Sequence, residues 1–269
     1  MRRSYISVEG IAEDPDALAV IGYPHATARA KSERVHELAG LGIEAVSFSG
    51  PVLLGRTSVL GKGYVGVAVL GRDARKRRLA VKIRRTDSPR AHMGDEAGLL
   101  EAANMAGVGP RLAGYSQNFM VMEYADGERI GRWLRGLGGA GATSRLRRAA
   151  RSILTDCYRL DKAGIDHGEL SNISKHVIIS ARDHPVLIDF ESASTSRRPA
   201  NVTSMTQAIF IAPPMAGRVR RICGSLPPKD IIISCLREYK RKRDRRAFDA
   251  LLGVLRLDGG GDGGGTGRI

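Results

Sequence analysis

The stretch DHGELSNISKHVIISARDHPVLIDFESAS, residues 166–194, places two polar clusters on either side of a short apolar hairpin. Asp166-His167-Gly168-Glu169 precedes the strand-like run HVIIS, and Asp189-Phe190-Glu191 closes the run PVLIDF. Antiparallel pairing of those runs brings their outer ends together, so a carboxylate near 169 and another at 189 share one cleft. One carboxylate can orient or deprotonate an attacking hydroxyl. The other can hold Mg2+, which takes one or two carboxylates and fills its shell with phosphate oxygens and water. His167 also reads as a structural ring that fixes the loop, and Asp189 as a turn cap.

Working upstream, Leu146, Ala150, Ile153, Cys157 and Leu160 recur at three- and four-residue steps and predict a helix over Ser144–Ala163. Gly164 stands where a helix-ending glycine belongs. Further back, RTSVLGKGYVGVAVLG reads as two strands around glycines, and RRLAVKIRR as a third. Gly61, Gly63 and Gly66 spell G-x-G-x-x-G. In a dinucleotide-binding fold that pattern joins a strand to a helix. Here valines follow Gly66, which predicts a hairpin whose backbone amides lie over phosphates; a bare turn is the other reading. Lys82 sits inside the apolar run LAVKI, a costly place for an ammonium without a partner. Phosphate oxygens and Glu96, on the next predicted helix (about Arg90 to Gly107), would supply one; a lysine pointing to water from an edge strand is the alternative. GPVLLGRT, residues 50–57, falls short of a P-loop because Arg56 replaces the lysine, and Leu53-Leu54 reads as strand.

The remaining segments complete the layout. Thr27 is a suitable N-cap for a helix running to Leu41, followed by a strand at GIEAVSF. NFMVMEY reads as a buried strand, and DGERIGRWL as the start of a helical part. NVTSMTQAIF and PKDIIISCLREYKRKRDRRAFDALLGVL read as two further helices, and GGGDGGGTG as a disordered tail. Strands first and helices later predict an α+β chain. The divisions are 1–50 as an N-terminal extension, 51–124 as a β-rich lobe, 125–257 as a helical lobe and 258–269 as the tail.

The chain has 269 residues and a formal charge of +15. That balance suits a polyanionic partner such as RNA, a ribosomal surface or a nucleotide, and reads equally as a solvated arginine-rich surface. REYKRKRDRR, residues 237–246, concentrates it, but Tyr239 alone is not the aromatic interleaving of a single-strand binder. No run of about 18 apolar residues occurs, so no membrane span is expected. No apolar segment follows Met1-Arg2-Arg3 before Glu9, so no secretory signal is expected. Three widely spaced cysteines form no metal or disulfide pattern, which fits a cytoplasmic setting.

In this order, the glycine hairpin, Lys82, Glu96, MEY and IDF resemble the protein kinase-like superfamily, above all the small RIO-type and KEOPS-complex kinases and the predicted archaeal serine/threonine kinases. The resemblance covers roughly residues 51–195. It implies a bilobal fold with a β-rich N-lobe and a reduced helical C-lobe, binding Mg-ATP between the lobes, with Mn2+ as an alternative ion. It implies that Gly61, Gly63 and Gly66 cover the phosphates and that Lys82, paired with Glu96, holds them. Met122-Glu123-Tyr124 would join the lobes and receive the adenine, and Asp189 would bind metal. The implied activity is phosphoryl transfer to serine or threonine, including on the chain itself. A nucleotide-binding regulator on RNA or ribosome precursors and a small-molecule kinase are the rival functions.

Several positions depart from the family. Glu169 stands where the catalytic Asp is usual, one methylene longer, and misplacement on that scale costs about a hundredfold in rate. Asp166 is the other candidate base. The metal-binding Asn is replaced by His176, by Ser174 or by nearby Asn172, with His176 favoured although magnesium prefers oxygen. Asp-Phe-Glu replaces Asp-Phe-Gly, and no Ala-Pro-Glu follows, which implies a short activation segment.

Overall fold

The computed structural model describes residues 5–213 and 215–258; the glycine-rich tail expected at 258–269 lies outside the described residues apart from Asp258. The chain is mixed α+β. It forms two compact units, one holding residues up to 104 together with 110–125, the other 105–109 together with 126 onward.

The first unit is built on an antiparallel sheet. In chain order its elements are β1 (Ile6–Ser7), α1 (Pro15–Ile21), α2 (Ala28–Gly40), β2 (Ile43–Ser47), β3 (Val52–Leu54), β4 (Thr57–Val59), β5 (Gly61–Lys62), β6 (Gly66–Asp73), β7 (Arg78–Arg84), α3 (Gly94–Met105), β8 (Leu112–Tyr115) and β9 (Phe119–Glu123). The sheet runs β1-β2-β6-β7-β9-β8, with β5 folded onto β6 and β3–β4 as a separate hairpin. Thr27 caps α2 as expected, its hydroxyl accepting the Ala30 N–H at 3.2 Å. The stretch read as an N-terminal extension therefore supplies two strands of this sheet and the two helices that cover it.

Strand alternation decides what each face buries. Val67 and Val69 of β6, Val81 and Ile83 of β7, and Phe119 and Val121 of β9 join Ile21, Val35 and Leu38 of the helices in one core. Lys82 lies between Val81 and Ile83, so it projects to the opposite face, with Ala68 and Met120 as its cross-strand neighbours. A buried arginine ties α2 to the unit. Arg34 donates to the carbonyls of Ile21 and Arg84 and to Asn118 Oδ1. Its burial, with Arg84 nearby, lowers its pKa to about 10.

The second unit contains β10 (Gly127–Arg129), α4 (Ile130–Gly136), α5 (Ala142–Lys162), α6 (Ile173–His176), β11 (Val177–Ser180), β12 (Pro185–Leu187), α7 (Asn201–Thr206), α8 (Met215–Cys223), α9 (Lys229–Lys242) and α10 (Arg245–Val254). A π turn, Gln207–Ile211, extends α7. The apolar face of α5 is buried as its periodicity predicts. Gly164 ends the helix at φ +75°, with the Ile165 N–H reaching the Leu160 carbonyl and the Gly164 N–H the Asp161 carbonyl, the Schellman pattern.

Two expectations are corrected here. DGER is not helical; it forms β10 and pairs with β11 before α4 begins. The long helix expected over PKDIIISCLREYKRKRDRRAFDALLGVL breaks at Arg243, which turns to φ +50°, and Asp244 caps a new helix by accepting the Ala247 N–H at 2.7 Å. Among the described residues no helix is long and apolar enough to cross a membrane.

Candidate functional site

In the first unit the G-x-G-x-x-G stretch is a hairpin. Gly61 and Lys62 pair with Ala68 and Val67, and the Gly63 N–H closes the turn on the Gly66 carbonyl at 2.8 Å. Gly66 is required by close approach: a Cβ there would sit 2.9 Å from the Ile83 carbonyl oxygen and 3.1 Å from Lys82 Cγ. The absence of a side chain lets the stem of Lys82 lie against β6.

Lys82 Nζ reaches Glu96 Oε1 at 2.6 Å, and both side chains are buried, at 10% and 1% exposure. Arg90 stands 3.8 Å from the other Glu96 oxygen. The lysine is thus not an edge residue facing water. Its partner arrives from the first turn of α3, as the spacing suggested. At this depth desolvation offsets much of the attraction between the two charges.

Met122 and Glu123 end β9, opposite Ala80 and Leu79. The Glu123 N–H already donates to the Arg111 carbonyl at 2.8 Å. An adenine met by this segment would therefore use other backbone groups. Tyr124 lies under the Arg78 guanidinium, 5.3 Å from ring centre to Cζ.

In the second unit the hairpin pairs as predicted, Val177 with Leu187 and Ile178 with Val186, and the Ile188 N–H continues it to the His176 carbonyl. His167 is fully buried, and its Nε2 lies 3.2 Å from the Ile188 carbonyl. Burial, reinforced by the neighbouring His176, lowers its pKa to about 4, so the ring is neutral and Nε2 carries the donated proton. This is the structural reading of His167: it ties the loop to the strand that delivers Asp189. Phe190 packs on the same ring at 4.9 Å. Asp189 itself is exposed and held at φ +69°, a left-handed conformation uncommon outside glycine and tolerated by Asp. Arg129 of β10 lies near it: partial loss of water lowers the arginine pKa, and the Asp189 charge opposes that shift.

Glu169 is exposed but engaged at both oxygens. Ser192 Oγ donates to Oε1 at 2.6 Å, and His176 Nε2 lies 2.9 Å from Oε2. The His176 ring nitrogen makes no well-aligned hydrogen bond to that oxygen. His176 is almost wholly buried. The residue favoured as the metal-binding replacement is therefore a neighbour of Glu169. Asn172 and Ser174 fall in the short turn and helix that lead to it, residues 170–176. Asp166 has other work: its carboxylate accepts Arg197 Nε at 2.9 Å and the Ala200 N–H at 3.3 Å, and its backbone bridges to Ser194.

Sequence reading missed what holds this loop. Asn201 Oδ1 accepts the His167 N–H at 2.9 Å, while its Nδ2 donates to Asp161 and to the Ile165 carbonyl. Asp161 also accepts from the Asn201 and Val202 N–H groups and from the Tyr239 hydroxyl at 2.9 Å. Burial raises the Asp161 pKa against the pull of those donors. One signal was present: Asp161 follows Cys157 by four residues, which puts a carboxylate on the apolar face of α5. Tyr239, although it lies within the basic run 237–246, is buried and joins this network.

Among the described residues, no group of three or more His, Cys, Asp or Glu side chains is arranged to hold a metal by itself. An exposed aspartate beside a hairpin end nevertheless suits magnesium, which needs few protein ligands when phosphate oxygens complete its shell. Neither the family models nor the curated proteins compared with the chain match it.

Proposed function

We propose that the chain is an ATP-dependent phosphotransferase of kinase-like, bilobal architecture, with the β-rich unit as N-lobe and the helical unit as reduced C-lobe, acting on serine or threonine hydroxyls. The observation that carries this reading is the buried Lys82–Glu96 pair at 2.6 Å, backed by a glycine hairpin whose Gly66 packs on the lysine stem. A fixed ammonium beside backbone amides is suited to the α- and β-phosphates of a nucleotide. In the helical unit Glu169 would position and deprotonate the acceptor hydroxyl, and Asp189 would hold Mg2+ or Mn2+. The bound ion would neutralise phosphate charge. Reactions of this kind depend mostly on positioning and charge. The Met122–Tyr124 segment would receive the adenine. The exposed Arg237, Lys240 and Arg241 of α9 offer a basic face for RNA or a ribosomal surface.

Titration calorimetry with ATP and with AMP tests the reading. The wild type should bind ATP, and Lys82→Met should weaken ATP binding about tenfold or more and AMP binding less, since AMP keeps the α-phosphate but lacks the β-phosphate that the lysine would also meet. Equal ATP affinity in the two proteins would refute the role of Lys82.

A further inference from the structure

The carboxylate proposed to act on an acceptor hydroxyl already holds one. Ser192 Oγ donates to Glu169 Oε1 at 2.6 Å, and the other carboxylate oxygen lies 2.9 Å from His176 Nε2. A nucleophile within hydrogen-bond reach of a base is the arrangement of an activated hydroxyl. Ser192 lies three residues after Asp189 and is partly exposed. Its position is fixed: the Ser192 carbonyl accepts from Arg197 Nη2, and Arg197 Nε is held by Asp166. Gly168, at φ +86°, leaves room for this contact; a Cβ there would sit 2.6 Å from both Arg197 Nη2 and the Ser192 carbonyl oxygen.

We infer that Ser192 is the chain's own phosphoryl acceptor. The inference rests on the phosphotransferase reading and names its first substrate. Ser192 Oγ attacks the γ-phosphorus of a nucleoside triphosphate, and its proton passes to Glu169 Oε1. The Oγ–P bond forms as the bond from the γ-phosphorus to the β,γ-bridging oxygen breaks. The nucleoside diphosphate leaves with that electron pair. Once the exposed Glu169 has released that proton to water, the product places a phosphate dianion beside its carboxylate, which repels it, and near Arg197, which attracts it. Transfer thus ends the Ser192–Glu169 hydrogen bond, occurs once per chain, and frees Glu169 for an external hydroxyl. Because the base Glu169 and the acceptor Ser192 meet within one chain, the reaction is unimolecular in protein.

The test is incubation of the full chain with ATP and Mg2+ or Mn2+, followed by tandem mass spectrometry over time at several protein concentrations, with ATP binding measured on the same samples. Phosphate should appear on Ser192 at a rate independent of protein concentration. Glu169→Gln should slow it about a hundredfold. Ser192→Thr, which keeps a hydroxyl, should still be modified at that position, and Ser192→Ala should not. ATP binding with phosphate elsewhere, or with none, overturns the assignment of Ser192 while the nucleotide reading stands. A rate that rises with protein concentration overturns the in-chain transfer. Absence of ATP binding overturns both.

Discussion

Asn201 joins Asp161 by two hydrogen bonds to the same carboxylate oxygen, from its backbone N–H at 2.9 Å and its side-chain amide at 2.8 Å. Through its own Oδ1, Asn201 then holds the backbone of His167. A carboxylate on α5 thereby fixes the loop that carries Glu169, without touching it.

Removing that carboxylate should be expensive. Asp161→Ala leaves the Asn201 amide and the Tyr239 hydroxyl buried without their acceptor, and unsatisfied buried donors cost about 1–3 kcal/mol each. A loss of about 2–4 kcal/mol is expected in urea unfolding. Tyr239→Phe, which deletes a single donor, should cost about 1 kcal/mol. A near-neutral Asp161→Ala would contradict the network.

His167 should make stability depend on pH. Its folded pKa, about 4, lies below the ordinary 6.5, so the unfolded chain binds more protons between those values. Its contribution is complete above about pH 6.5 and is lost as the pH falls toward 4. At about 1.4 kcal/mol per unit this amounts to roughly 3 kcal/mol. The raised pKa of Asp161 works in the opposite sense, its contribution falling as pH rises. Comparison with His167→Gln isolates the histidine: unfolding free energies of the two proteins should diverge at neutral pH and converge on acidification. Parallel pH curves would show that the ring is not buried neutral.

The buried ion pair in the β-rich unit should behave asymmetrically. Lys82→Met alone removes the nearest cation from the buried Glu96 carboxylate and should cost about 3–5 kcal/mol. The double change Lys82→Met with Glu96→Leu should recover most of that loss. A double-mutant cycle followed by thermal melting measures it, and additive losses would mean that the pair is not coupled.

Those outcomes also mark what could be read from the residues alone. The Thr27 cap, the α5 face, the Gly164 stop, the glycine hairpin and the Lys82–Glu96 pairing all depend on local spacing, and each follows from periodicity or from one costly group seeking a partner. DGER carries no strand propensity; it becomes β10 because Gly127 can approach the Ile179 carbonyl, where a Cβ would sit 2.2 Å away. The break at Arg243 lies inside an uninterrupted charged run, and only its left-handed φ and the Asp244 cap reveal it. In the helical unit the hairpin itself was legible. The partners of Glu169, His167 and Asp161 were not, because Ser192, Asn201 and Tyr239 are 23, 34 and 78 residues distant from the groups they hold. Tyr239 looked like surface only because its sequence neighbours are charged.

Gly168 offers a sharper test of the loop. Its φ of +86° and the 2.6 Å approach of the Ser192 carbonyl leave no space for a side chain. Gly168→Ala should cost about 2 kcal/mol or more and break the Ser192–Glu169 contact. Hydrogen exchange at residues 166–194 should accelerate in this variant; unchanged protection would mean that the backbone is not constrained there.

The most direct measurement is transfer of labelled γ-phosphate from ATP, in Mg2+ and in Mn2+, by the wild type and by Asp189→Asn. The account predicts label on protein or on an added serine/threonine substrate, abolished by Asp189→Asn. Nucleotide binding with neither label nor free phosphate released would contradict it and leave a nucleotide-binding protein in which the Glu169 loop does no chemistry.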